Sequence, residues 1–156
     1  MIRKGRMDDL EGIIEIGSKL LEGSNNRNVP VDRQSVFQAI REFIRAPDKA
    51  VLLAEHDGVL TGFIMVAIET YWWDNQRTGR RYATDWAFYS QRAGDGLRML
   101  RIIRDWAWAM PRVIEVNIAR NFINAENLAD KVFKEAGFNR AGAMYTCQKQ
   151  EECSNE

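Results

Sequence analysis

The sequence has little of several features that would point to particular classes of protein. Only 2 of its 156 residues are cysteine and only 3 are proline. Cys147 and Cys153 form neither a disulfide framework nor a metal-ligand spacing, so we expect no metal site and a reducing, cytoplasmic setting. Because prolines are few and neither repeats nor low-complexity segments occur, nothing indicates a hinge between domains.

The chain also lacks an excess of charge and a long apolar run. Its 22 basic side chains balance 22 acidic ones, so the net charge does not indicate a nucleic-acid-binding surface. The longest apolar run, Phe63 to Ile68, is far too short to cross a bilayer, and the N-terminus lacks the apolar stretch of a signal peptide. We therefore expect no membrane among its partners and find no clear indication of a nucleic acid.

The length fits one domain that buries its core without disulfides or metals. We expect this domain to span residues 1–148, with a polar tail at 149–156. Hydrophobic periodicity, a helix cap at Asp32 and a hairpin signal at Asp57-Gly58 predict the order β-α-α-β-β-β-α-β-α-β. This order indicates an α/β (α+β mixed) fold with a central mixed sheet and helices on both faces.

Two glycines lie between a predicted strand and a predicted helix, in the stretch QRAGDG, residues 91–96. Gly94 and Gly96 let the backbone approach a ligand without a Cβ, and the first N–H groups of the helix lack intrahelical partners. The pattern is typical of an anion site, although such a turn often only connects two elements. Neither a P-loop sequence nor a dinucleotide-binding fingerprint is present, so a phosphate would be held in another way.

This stretch resembles the Q/R-x-x-G-x-G/A signature of the GNAT superfamily of acyl-CoA-dependent N-acyltransferases. The segment VFKEAGF, residues 132–138, resembles the superfamily's A-x-x-x-Y-x-x-x-G-F element, with Ala129, Gly137 and Phe138 in place. The predicted element order also matches as far as about Gln148. The resemblance implies a mostly antiparallel sheet splayed between strands 4 and 5. It also implies an N-acetyltransferase that moves an acetyl group from acetyl-CoA directly to a primary amine of a small molecule or protein.

The resemblance further implies where acetyl-CoA binds. Backbone amides of the glycine stretch would bind the pyrophosphate, and the pantetheine arm would enter the splay beside the fourth strand. A backbone N–H of that strand would polarise the thioester carbonyl. The residues implied are Ala87, Phe88, Tyr89, Gln91, Arg92, Ala93, Gly94, Asp95, Gly96 and Leu97, with Asn127 and Phe133 on the last helix.

The match fails at the residues that would handle protons. Phe133 stands where many members have the tyrosine that protonates the departing thiolate, and Glu126 replaces the usual asparagine, with Asn124 and Asn127 nearby. Tyr145 is a substitute candidate for the acid, and solvent is another, since thiols are acidic. These departures favour an alternative: a catalytically silent GNAT-like module that binds CoA or a partner protein.

Three carboxylates are candidates for the base that deprotonates the attacking amine. Asp85 lies on the fourth strand, Glu115 on the fifth and Glu69 at the end of the third, and each can equally be a solvated strand carboxylate. Strict alternation would place Glu115 on the face of Val113. The only histidine, His56, precedes the hairpin turn and is expected to serve that turn, away from the splay.

The resemblance implies an acceptor site built from the first two helices and neighbouring loops. Trp72, Trp73 and Asp74, with Glu69, could line an amine pocket, because aromatic faces and carboxylates favour cations. The alternative is that one tryptophan packs under the loop and the other covers the sheet edge. Since many GNAT proteins are dimers, the resemblance also leaves open a homodimer through the closing strand.

Overall fold

The structure is a computed structural model that describes residues 1–22, 30–74, 78–119 and 126–141. In chain order its elements are β1 (Ile2–Lys4), a short 3₁₀ helix (Met7–Asp9), α1 (Leu10–Glu22), α2 (Arg33–Arg45), β2 (Lys49–His56), β3 (Val59–Thr70), β4 (Arg81–Ser90), α3 (Ala93–Ala109), β5 (Val113–Asn117) and α4 (Glu126–Glu135). The predicted closing strand lies outside the described residues, apart from its first few positions.

The described strands form one sheet in the order β1-β2-β3-β4-β5. Neighbours from β1 to β4 are antiparallel, whereas β4 and β5 are parallel. The hairpin between β2 and β3 turns at Asp57 and Gly58, whose φ angles of 52° and 77° are those of a type I′ turn. The predicted hairpin and the mixed, mostly antiparallel sheet are therefore confirmed.

Helices cover both faces of the sheet, as predicted. On the α1/α2 face, buried residues of the helices pack on strand residues including Leu53, Met65 and Ala67. On the α3/α4 face, Met99, Leu100 and Ile103 of α3 are fully buried against β2, β3 and β4. This packing fixes α3 beneath the sheet, so that its N-terminus follows directly from the end of β4.

Strands β4 and β5 pair only along the first part of β4. Their register runs from Arg81 opposite Val113 to Thr84 opposite Asn117, whereas β4 continues to Ser90. In the described part of the chain, residues 85–90 thus have no pairing with β5. The sheet opens between these strands, where the splay was expected.

A β-bulge in β4 changes which face its side chains occupy. The register with β3 shifts between Met65 and Val66, which leaves Trp86 as an extra residue without a partner. Ala83 and Phe88 consequently both pack in the α3/α4 core, although strict alternation would put them on opposite faces. The bulge therefore sets which face each residue of the opening occupies.

A second irregularity overturns the expected orientation of Glu115. The register of β5 places Arg81 opposite Val113 but Tyr82 opposite Glu115, so that Ile114 is the extra residue. Val113 packs against the α3/α4 core, whereas Glu115 shares the opposite face with Tyr82. The prediction that Glu115 lies on the face of Val113 is wrong, because alternation does not survive a bulge.

The segment that ends α4 explains the glycine and phenylalanine of VFKEAGF. Gly137 has a φ of +88°, its N–H bonds to the Lys134 carbonyl, and the Phe138 N–H bonds to the Phe133 carbonyl. The rings of Phe133 and Phe138 also lie 5.9 Å apart. These bonds and the ring contact form a Schellman motif, so this part of the family element ends a helix.

We expect Gly137→Ala to destabilise the protein by about 1–2 kcal/mol, because a Cβ strains the left-handed conformation. That Cβ would also lie 2.8 Å from Nη1 of Arg104. Urea unfolding measures the change. The matched control is Gly17→Ala in the middle of α1, whose Cβ would have Phe63 as its nearest neighbour at 3.9 Å. The control should gain up to about 1 kcal/mol, and equal stability of the two variants would contradict the cap.

Candidate active site

The candidate anion site is the N-terminal turn of α3. This helix begins at Ala93, so both glycines belong to its first turn and not to a preceding loop. Its N-cap residue, Arg92, makes no side-chain capping hydrogen bond, whereas Asp32 caps α2 by accepting from the Gln34 N–H. The N–H groups of Asp95 and Gly96 both bond to the Arg92 carbonyl, so in the described structure it is the Gly94 N–H that is left to other partners, and the helix dipole favours an anion there.

The structure gives no internal reason for glycine at position 94. Neither Gly94 nor Gly96 is among the glycines with positive φ. Nothing lies within 4 Å of a Cβ placed on Gly94, and one on Gly96 would meet Phe88 and Ser90 at an ordinary 3.5 Å. The missing Cβ of exposed Gly94 thus leaves open surface at the helix N-terminus, as a pyrophosphate group of a cofactor would require.

The remaining residues of the glycine stretch hold this turn in place. The Gln91 N–H donates to the Thr61 carbonyl at 2.9 Å, and the Ser90 hydroxyl donates to the Arg92 carbonyl at 2.7 Å. The side chains of Gln91 and Arg92 are exposed, whereas Leu97 packs against the α3/α4 core. The turn is therefore tied to both β3 and β4.

One side chain that the sequence reasoning assigned only to a turn lies against the glycine stretch. Nε2 of His56 is 2.8 Å from Oδ2 of Asp95, and its Nδ1 is 3.0 Å from Nη1 of Arg92. The separation of 39 residues between His56 and Asp95 explains why no local sequence signal identified this contact.

Asp85 lies where β4 and β5 separate. It is opposite Val66, a residue of the α3/α4 core, and its Oδ1 accepts the N–H of Ala119 at 2.7 Å. Burial raises the pKa of Asp85 to about 6, although the N–H groups of Ala119 and of Asp85 itself act in the opposite direction. The opening therefore contains a carboxyl group whose pKa is raised above the usual range of aspartate.

The other two candidate bases lie elsewhere. Glu69 and Glu115 are both opposite Tyr82, so the three form one row on the α1/α2 face. The Tyr71 hydroxyl donates to Glu115, and burial together with this bond raises the pKa of Tyr71 to about 12. Asp85 lies on the other face, so the structure does not bring the three carboxylates together.

The loop after β3 presents aromatic surface to solvent. Trp72 is 85% and Trp73 62% exposed, and Tyr71 packs on Trp73 and Tyr82 with ring centroids 4.9 and 4.7 Å apart. The tryptophans therefore do not pack under the loop.

Asp74 organises the same loop. Its carboxylate accepts hydrogen bonds from the Thr78 hydroxyl and from the Arg80 N–H, each at 2.8 Å. Although burial opposes them, these bonds hold the pKa of Asp74 below its usual range, the Thr78 hydroxyl having the largest effect. In this arrangement the carboxylate is already engaged within the loop.

The last helix contributes an apolar wall. The ring of Phe133 is perpendicular to that of Phe88 on β4, with centroids 6.3 Å apart. Asn127 lies in the first turn of α4, but its side chain is outside the described part of the structure, as are Asn124 and Tyr145.

Within the residues that are described, no helix is both long and apolar enough for a membrane span.

Comparison with known proteins identifies the fold. No protein-family model and no curated protein sequence matches the chain. Solved structures do match. One from Clostridium acetobutylicum, described as a predicted acetyltransferase with acetyl-CoA, has a TM-score of 0.69 at 13% identity and covers 95% of each chain.

Two further matches are enzymes with named acceptors. Glucosamine-6-phosphate N-acetyltransferase from Arabidopsis thaliana has a TM-score of 0.69 at 14% identity, covering 96% of this chain and 98% of its own. Aminoglycoside antibiotic 6'-N-acetyltransferase from Acinetobacter baumannii has a TM-score of 0.65 at 14% identity, covering 97% and 98%. The chain therefore has the same fold as these acetyltransferases, which confirms the fold that the motif resemblance implied.

Proposed function

We propose that this protein is an N-acetyltransferase that binds acetyl-CoA and transfers the acetyl group directly to a primary amine. The observation that carries the proposal is the glycine at position 94. Neither the backbone conformation nor the packing requires glycine there, and the position lies on a helix N-terminus that has no side-chain cap. A ligand that approaches the backbone closely accounts for all three properties.

The opening between β4 and β5 fits the rest of the cofactor. Because residues 85–90 are unpaired on the β5 side within the described chain, backbone N–H and C=O groups there can bond to the amides of a pantetheine arm. An N–H of this strand can also stabilise negative charge on a carbonyl oxygen. Ala87, Phe88 and Tyr89 are the residues placed along this edge. When bound, acetyl-CoA would supply the activated acetyl group as a thioester.

Asp85 is the base that the geometry favours. It lies at the start of the opening, whereas Glu69 and Glu115 lie on the other face of the sheet. With a pKa near 6, its carboxylate is mostly ionised at neutral pH and basic enough to take a proton from an ammonium group, directly or through water. Phe133 has no proton to donate, so the thiolate takes its proton from solvent or from Tyr145.

The acceptor is an amine that meets an aromatic surface. Trp72 and Trp73 expose their rings, and aromatic faces favour cations such as an ammonium group. Asp74 supports this surface by holding the loop. Two of the similar structures are named for amino-sugar or aminoglycoside acceptors, which supports an amine without selecting one.

Substitutions at position 94 should separate cofactor binding from stability. We expect Gly94→Ala to weaken acetyl-CoA binding by about tenfold and Gly94→Val to weaken it further, since each added group occupies the space of the pyrophosphate. Thermal unfolding should be unchanged or slightly raised, because nothing lies near that Cβ and glycine is a poor helix former. Isothermal titration calorimetry with acetyl-CoA measures the affinities.

The control for this series is Gly17→Ala, which adds the same methyl group to a helix outside the candidate cofactor site. It should leave acetyl-CoA affinity unchanged. Unaltered affinity in both Gly94 variants, or no binding by the unaltered protein at millimolar acetyl-CoA, would contradict the proposed site.

Asp85→Asn should lower kcat by about 100-fold or more, because the amide cannot accept a proton. The amide oxygen can still accept the Ala119 N–H, so the fold and the affinity for acetyl-CoA should remain. In the unaltered protein, kcat should fall as the pH drops through about 6, when Asp85 becomes protonated. Thiol release over a panel of primary amines measures both effects.

Glu115→Gln is the matched control, since it makes the same change on the opposite face. It should retain most of kcat. Loss of activity in Glu115→Gln but not in Asp85→Asn would indicate that the base is Glu115, on the α1/α2 face, and not Asp85. Tight cofactor binding without thiol release on any amine would instead favour the silent CoA-binding module that Phe133 suggests.

A further inference from the structure

Asp95 is an unexpected residue for an anion site. It lies in the first turn of α3, between the two glycines, and it is only 4% exposed. A buried carboxylate requires partners, and one facing a pyrophosphate would repel it. The side chain must therefore be held away from the ligand.

The partner of Asp95 is His56, at the end of β2. Nε2 of His56 lies 2.8 Å from Oδ2 of Asp95, and Nδ1 lies 3.0 Å from Nη1 of Arg92. Because a guanidinium group can only donate, Arg92 donates to Nδ1. The proton of a neutral imidazole is then on Nε2, which donates to Asp95. The three side chains form one chain of hydrogen bonds in which each group has a suitable partner.

The position of this chain separates its negative end from the proposed ligand. Strand β2 lies two places from β4 in the sheet, on the side away from β5, so Asp95 is held toward β2 and away from the opening. The neighbouring carboxylate of Glu55 forms an ion pair with Arg3, whereas the His56 ring contacts Asp95. Arg92 is exposed, so its remaining N–H groups are free to meet phosphate oxygens, which guanidinium groups bind well.

We propose that His56 is a positioning residue for the pyrophosphate of acetyl-CoA. It draws the Asp95 carboxylate away from the first turn of α3 and orients the Arg92 guanidinium toward the anion. This inference rests on the proposed function, because it concerns the same cofactor. It adds two side chains, those of His56 and Arg92, to a site otherwise formed by backbone amides.

The test compares two substitutions of His56. His56→Phe keeps a planar ring but removes both hydrogen bonds, and we expect the Kd for CoA measured by calorimetry to rise about tenfold. His56→Gln keeps one donor and one acceptor, and its Kd should stay within about threefold of the unaltered value. The KM for acetyl-CoA should follow these changes, while kcat at saturation remains the same.

A truncated donor shows whether the effect arises at the pyrophosphate. S-acetylpantetheine lacks the phosphates, so its kcat/KM should be the same for the unaltered protein and for His56→Phe. An equal loss with both donors would indicate a general structural defect and overturn the inference. Arg92→Gln, on an exposed side chain, provides a second test that does not depend on the folding of His56→Phe, and it should also raise the Kd for CoA about tenfold.

The outcomes distinguish this inference from the proposed function. Equal CoA affinities of the unaltered protein, His56→Phe and Arg92→Gln would overturn the positioning role of His56 but not the proposed function. Failure of the unaltered protein to bind CoA would overturn the proposed function and, with it, this inference.

Discussion

The end of pairing between β4 and β5 is the constraint on which the rest of the candidate site depends. Beyond Thr84 the two strands separate, and the Asp85 carboxylate, not a strand backbone, accepts the N–H of Ala119. An unpaired strand edge within a sheet normally has to be covered, because its polar groups need partners. Within the described residues the edge of β4 beyond Thr84 is unpaired on the β5 side, so its polar groups are available to the cofactor that we propose, and one half-buried acidic side chain lies where the opening begins.

The position of α3 places a helix N-terminus at the end of this opening. Met99, Leu100 and Ile103 fix the helix beneath the sheet, and each such buried side chain contributes roughly 1.5–3 kcal/mol. The short turn after Ser90 then leaves the N-terminus of α3 at the end of β4. One end of the site therefore suits phosphate and the other suits amides and a carbonyl group, in the order in which those groups occur along CoA.

Features with local causes could be predicted from the sequence, and features that depend on register or distant contacts could not. The Asp57-Gly58 hairpin and the left-handed Gly137 follow from the backbone preferences of a few neighbouring residues. The extra residues Trp86 and Ile114 depend on how whole strands align, so alternation gave the wrong face for Glu115. The expectation that His56 serves its hairpin turn is wrong, because its ring contacts Asp95 and Arg92, which are distant in sequence. The glycine stretch was located from the sequence, but its role in binding the cofactor remains a prediction, as do the roles of Asp85, Tyr145 and the tryptophans.

The central claim is that acetyl-CoA lies along β4 with its pyrophosphate on the first turn of α3. A crystal structure of the protein grown with acetyl-CoA tests it most directly. The account predicts pyrophosphate oxygens within about 3 Å of backbone N–H groups between residues 92 and 97, and a pantetheine arm between β4 and β5. A cofactor bound elsewhere, or an empty opening at saturating acetyl-CoA, would contradict it.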